Sequence, residues 1–160
     1  MEQHHWRRLD GRRITRSIQE EVHAALIKET TNGHEMRACI GTDSQVKGTE
    51  TVFATVVVLV RKNKGAFMYI RHEQVQRKMH LKERMLEEVA RSVNIAYTLC
   101  NLFSSFSVAM ELHADINTHP DFKSQGALQD AMGYIRAMGF TFKAKPHAFA
   151  SSSCADKAVR

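Results

Sequence analysis

The sequence predicts an α/β fold: a mixed five-stranded sheet with helices on both faces and an extra N-terminal helix. Three observations predict it. Three β-rich segments follow one another between Met36 and His72 across short turns, Lys47-Gly48 and Asn63-Lys64-Gly65, as in an antiparallel meander of strands one to three. A long helical stretch then intervenes before a fourth strand. A second helix intervenes before a fifth, the spacing of crossovers that add strands in parallel. With 160 residues the chain suffices for one well-buried domain and is short for two. Residues 1–160 are therefore expected to be a single domain, with 1–34 a helical extension packed on it.

Each element has its own signal. Asp10 can cap a helix beginning near Gly11, and Ile14, Ile18, Val22, Ala25 and Leu26 then recur on one face until Asn32-Gly33 ends it. Arg7, Arg8, Arg12, Arg13 and Arg16 open its polar side, either as a solvated face balanced by Glu20 and Glu21 or as a phosphate-contacting arm. Met36 to Thr42 reads as the first strand, Thr51–Arg61 as the second and Ala66–His72 as the third. From about Met79 to Leu102 a helix buries a stripe of Met85, Val89, Val93, Ala96 and Cys100. On this helix Glu88 lies in line with Ser92 and Ile95 at the margin of the stripe, whereas Glu87 falls with Arg84 and Arg91 on the polar side. Glu88 is thus the inward candidate and Glu87 half of a surface ion pair. Ser107–Ala114 is the fourth strand, Phe122–Met138 a helix stopped by Gly139, and Phe140–Lys145 the fifth strand, broken by Pro146. Ser151-Ser152-Ser153 supplies caps for a last helical turn containing Asp156.

Composition excludes several classes. Apolar content of 43% with 25% charged residues is that of a globular protein, and the apolar run Val52–Val60 is too short for a membrane span. The first residues lack the apolar core of a secretory signal, and Cys39, Cys100 and Cys154 show no CxxC spacing, which leads us to expect a reducing cytoplasm and no membrane partner. A net charge of +6 favours polyanionic partners. Nine histidines, His80, His113 and His119 among them, match no structural zinc spacing.

The chemistry is expected at Ile40-Gly41-Thr42-Asp43-Ser44-Gln45, where a hydrophobic strand runs out at a carboxylate, and at His113-Ala114-Asp115-Ile116-Asn117, where another does. If strands one and four are parallel neighbours, Asp43 and Asp115 reach the same sheet edge, where open α/β sheets bind ligands. Glu88 and Asp156 can join them, although Asp156 also suits the start of a short helix. Carboxylates gathered in this way repel one another unless a cation lies between them, and hard oxygen ligands select Mg²⁺ or Mn²⁺ over Zn²⁺. Two such ions would support phosphodiester hydrolysis without a covalent protein intermediate. Arg71, Arg77, Lys78, Lys82 and Arg84 cluster between strand three and the long helix, where they could track phosphates, diluted by Glu73 and Glu83.

This order of elements and acids resembles the ribonuclease H-like nuclease superfamily. The Gly41-Thr42-Asp43-Ser44-Gln45 and His113-Ala114-Asp115-Ile116-Asn117 motifs look like the YkuK-like family of bacterial proteins, predicted to be ribonuclease H-related nucleases, and the likeness runs from Met36 onward. It implies a metal-dependent nuclease acting on RNA, DNA or their hybrid, with Asp43, Glu88, Asp115 and Asp156 as ligands of two Mg²⁺ or Mn²⁺ ions. Lys145-Pro146-His147 ahead of Cys154-Ala155-Asp156 is similar to the end of ribonuclease H, which implies an auxiliary acid or base role for His147. The chain departs from the family-typical Asp-Gly-Ser after strand one, with Asp43-Ser44-Gln45, and has no counterpart of the substrate-gripping aromatic protrusion of some ribonucleases H. Two other readings stand beside the nuclease: a non-catalytic nucleic-acid-binding or assembly module on the same fold, and a small-molecule phosphohydrolase using the same carboxylates.

Overall fold

The computed structural model describes residues 5–114, 126–143 and 148–160. In chain order these form β1 (Trp6–Arg8), α1 (Ile18–Thr31), β2 (Met36–Lys47), β3 (Glu50–Arg61), β4 (Gly65–Val75), α2 (Leu81–Ser105), β5 (Ala109–His113), α3 (Gly126–Ala137) and β6 (Thr141–Lys143). A π-helical turn (Ala150–Ala155) then runs into α4 (Asp156–Val159).

Residues 51–59 are the chain's densest apolar run, and all of them are buried. The reason is position. β3 lies inside a sheet of order β1-β4-β3-β2-β5-β6, and both of its faces are covered. On one face Ala38 and Ile40 of β2, Val57 and Leu59 of β3 and Leu112 of β5 pack under α1, α2 and α3 through Val22, Leu26, Val93, Leu99 and Ile135. On the other, Cys39, Val56, Val58 and Ile70 meet Ala150 and Ala155, while Val52 and Ala54 meet Val159. The meander β2-β3-β4 is antiparallel, β5 pairs with β2 in parallel, and β6 pairs with β5 in parallel. The expected mixed α/β architecture is therefore present.

Four details differ from the sequence expectation. The sheet has six strands, because Trp6–Arg8 adds to β4 in antiparallel register, with the Arg71 guanidinium 5.1 Å over the Trp6 ring. Three residues, two of them arginine, carry no alternation by which a strand is recognised. The N-terminal helix starts at Ile18 and not near Gly11: Asp10 accepts the Arg12 N–H at 2.9 Å in a turn with Gly11 at φ +89°, and Ser17 with Glu20 forms the capping box that starts α1. β2 also continues to Lys47, so Asp43 sits within a strand, opposite Ala54 of β3, and not at its end. Ser153 likewise lies inside the π-helical turn, which has no side-chain cap.

Candidate carboxylate site

The site is built by the mismatch in length between β2 and its parallel neighbour. β5 pairs with β2 as far as Gly41, which faces His113, and among the described residues nothing pairs with that edge of β2 from Thr42 onward. Strand ends of this kind leave a crevice in open α/β sheets. Here it is a cavity of about 200 Å³, lined by Asp43, Arg84, Met85, Glu88, His113 and Ala114 among others.

Helix α2 is docked over that crevice by buried hydroxyls. Thr42 Oγ1 lies 2.6 Å from Ser92 Oγ and 3.1 Å from Thr55 Oγ1, tying α2 to β2 and β3. One helical turn before Ser92 is Glu88, and two strand residues after Thr42 is Ser44. The two intervals are about 6 Å and 6.6 Å, so helix and strand stay in register. Ser44 Oγ accordingly donates to Glu88 Oε1 at 2.5 Å. Arg84, a further turn back, donates from Nε to Ser44 Oγ (3.0 Å) and from Nη2 to the Ser44 carbonyl (2.8 Å). The Ser44 hydroxyl thus accepts from a cation and passes its own proton to a carboxylate.

Asp43 accepts the Ser44 backbone N–H on Oδ1 at 2.9 Å. It also stands close enough to act on Glu88. Burial pushes the Glu88 carboxyl up, and the negative charge of Asp43 pushes it further, while the Ser44 hydroxyl and Arg84 pull it down; the outcome is about 7. Two carboxylates in a partly buried crevice therefore share less than two negative charges near neutrality.

Of the residues expected here, Asp43 and Glu88 come together. Glu87 pairs with Arg91, whose guanidinium also bonds Glu73 of β4 at 2.6 Å and lies 3.9 Å over the Phe53 ring of β3, so the arginine of this pair packs against the sheet. Asp156 begins α4, which packs on β2 and β3; its carboxylate pairs with Arg160 at 2.9 Å and does not line the Asp43–Glu88 cavity. Asp115 and His147 lie outside the described residues. Ala114, immediately before Asp115, lines the cavity, and its N–H donates to the Lys143 carbonyl at 2.9 Å. Ser44 and Ser92 are contributors that the sequence did not mark, because a serine on a strand or helix is unremarkable until its partner is known.

A second polar cluster was also unmarked. Cys39, Glu111 and His113 present potential ligand atoms within 4.8 Å of one another. Their hydrogen bonds show how they are used. The Ala150 N–H donates to His113 Nδ1 at 3.0 Å, which places the ring proton on Nε2, and Nε2 donates to Glu111 Oε2 at 2.8 Å. Arg37 donates to the same carboxylate oxygen at 3.2 Å, and burial, aided by Glu111, pushes the Cys39 thiol up to about 12. With the proton on Nε2, the carboxylate paired with Arg37 and the thiol neutral, the three side chains form a hydrogen-bonded network. Its effect is to tie the end of β5 to the π-helical turn.

An antiparallel meander extended in parallel past its first long strand, with a carboxylate pair where the parallel pairing stops, defines an α/β protein of nuclease-type fold. More particularly, residues 17–160 match the Ribonuclease H-like family, and the chain belongs to it. It is 29% identical over 154 residues to the uncharacterized protein YkuK of Bacillus subtilis (strain 168), covering 88% of this chain and 87% of that protein. Among solved structures it is similar to RNase H1 from the halophilic archaeon Halobacterium salinarum NRC-1, with 16% identity, 76% of this chain and 98% of that chain covered, and a TM-score of 0.37.

Proposed function

We propose that the protein is a divalent-metal-dependent nuclease that hydrolyses phosphodiester bonds of RNA, DNA or their hybrid in the cytoplasm. The observation that carries this reading is the pairing of Asp43 with Glu88 in one crevice past the end of the β2–β5 pairing, with Glu88 driven up to about 7. Such a pair is unfavourable as two anions and favourable around a cation. Its donors are hard carboxylate oxygens, which fits Mg²⁺ or Mn²⁺. Asp43 and Glu88, with Asp115 and Asp156, would hold two ions, which supply Lewis acidity and an activated water when bound.

The remaining roles belong to the chain itself. Ser44 and Arg84 fix the Glu88 carboxylate against β2, so that it does not have to be ordered when substrate arrives. Met85 and Leu81 wall one side of the crevice. His147 would serve as the auxiliary acid or base. No helix among the described residues is long and apolar enough to cross a membrane.

The test is cleavage of labelled single-stranded, duplex and hybrid oligonucleotides with Mn²⁺, Mg²⁺ or EDTA. Metal-dependent cleavage lost in Asp43→Asn and Glu88→Gln supports the reading. Polymer binding without cleavage would instead indicate a non-catalytic module, and hydrolysis of nucleotides but not polymers a small-molecule phosphohydrolase.

A further inference from the structure

The five arginines of the N-terminal arm divide into two groups. Arg8 and Arg16 both pair with Glu21, at 2.8 and 2.7 Å, and Arg12 pairs with Asp10 at 3.3 Å. Arg7 and Arg13 have no carboxylate partner among the described residues. They nevertheless face each other directly across an isolated antiparallel bridge. Like charges directly opposite in such a pair are destabilising, and among the described residues the one partner of either guanidinium is the Arg8 carbonyl, which accepts from Arg7 at 3.2 Å.

Both line a concavity of about 670 Å³ on the sheet face that carries α4. The face follows from register: Arg7 is opposite Ile70, which packs with Ala150 and Ala155 on that side. Lys47 adds a third cation to the lining, beside the imidazoles of His5 and His72. His72 Nε2 donates to the Ala158 carbonyl at 2.7 Å, and Lys47 Nζ to the Arg160 carbonyl at 3.3 Å, so both are fixed to the end of α4. The one acid in the lining, Glu73, is already engaged by Arg71 (3.3 Å) and Arg91 (2.6 Å). Unspent positive charge therefore collects in a cleft separated from Asp156 by the length of α4, about 6 Å.

We propose that this cleft, centred on Arg7 and Arg13, is a cradle for the phosphodiester backbone of a nucleic-acid strand. A run of phosphates is the partner that offers an anion to each of Arg7, Arg13 and Lys47 along one cleft, whereas a single small anion engages part of it. The cleft would hold the strand to one side of the carboxylate crevice by contacts that carry no sequence information. The inference rests on the nuclease reading for its ligand, and it assigns the strand-holding role to the arm that precedes residues 17–160, the span matched to the family.

The experiment measures binding of fluorescent single-stranded oligonucleotides to the full chain at several KCl concentrations, in a non-cleaving Asp43→Asn background with and without Arg7→Ala/Arg13→Ala. At about 0.7 released counterions per phosphate, removing two contacts should lower the slope of log affinity against log salt by about 1.4 and weaken binding at least tenfold near 0.1 M KCl. Arg7→Lys/Arg13→Lys should restore most of the slope, which a folding defect would not allow. An unchanged slope in the alanine variant, with Mn²⁺-dependent cleavage present in a separate Arg7→Ala/Arg13→Ala chain that keeps Asp43, overturns the cradle and leaves the nuclease reading standing. Cradle-dependent binding by a chain that never cleaves supports the cradle and sinks the nuclease. Displacement of the oligonucleotide by polyglutamate at equal charge concentration would overturn the assignment in favour of an acidic protein partner.

Discussion

Replacing Glu88 with glutamine should make the metal-free protein more stable at alkaline pH. In the folded chain this carboxyl is pushed up to about 7 by burial and by Asp43, from an ordinary value of 4.5. At 1.36 kcal/mol per pH unit, this rise amounts to about 3 kcal/mol of preference for the protonated form. The sign follows from linkage. Below pH 4.5 the group is protonated in both folded and unfolded chains and costs nothing; as pH rises from 4.5 through 7 the unfolded chain loses its proton first, and stability falls. Glutamine is nearly isosteric, its carbonyl can accept the Ser44 hydroxyl, and it never ionises. Urea unfolding in EDTA should therefore show parent and variant converging near pH 4.5 and separating by about 3 kcal/mol at pH 8, or about 6–12 °C in melting temperature. Mn²⁺ at pH 8 should return the parent toward the variant and do less for the variant. Parallel stability curves from pH 4.5 to 8 would refute the argument, because Glu88 would then ionise as an exposed glutamate does.

Other expectations follow from the same contacts. Ser92→Val, which leaves the Thr42 and Thr55 hydroxyls with only each other, should cost about 1–3 kcal/mol and lower any cleavage rate by loosening α2, measurable by chemical denaturation and single-turnover kinetics. His113→Phe removes the acceptor for the Ala150 N–H, so that amide should exchange with solvent at least tenfold faster while amides of β3 keep their protection. Leu26→Ala, at a position with no exposed surface, should destabilise the protein by about 2–5 kcal/mol, since α1 is part of the main core and not a detachable arm.

Much of the fold was legible because its signals are local. The meander turns need backbone that bends with positive φ, and Gly48, Asn63 and Gly65 all adopt it. Helix α2 declared itself through its apolar stripe, and the same periodicity separated Glu88 from Glu87 before any contact was known. What escaped was non-local. β1 exists because β4 offers a free edge and Arg71 covers Trp6, neither of which residues 6–8 encode. The start of α1 moved to Ser17 because a reciprocal capping box satisfies two backbone donors where Asp10 satisfies one in a turn. The Cys39–Glu111–His113 network joins residues from two strands 72 positions apart, and no spacing rule foretells it.

The sequence by itself determined the order of helices and strands from the first long helix onward, the meander, the parallel additions and the separation of Glu88 from Glu87, because hydrophobic period and turn chemistry are written in neighbouring residues. It also held the five arginines of the arm, but not which of them pair with carboxylates among the described residues. Only the tertiary structure decided that. It likewise showed that β2 outruns β5, so that Asp43 lies within a strand yet past the end of its parallel pairing, and that Glu88 reaches it through a serine held by Arg84. These outcomes depend on which distant groups share a small volume, and charge, burial and proton affinity are properties of that volume rather than of the chain.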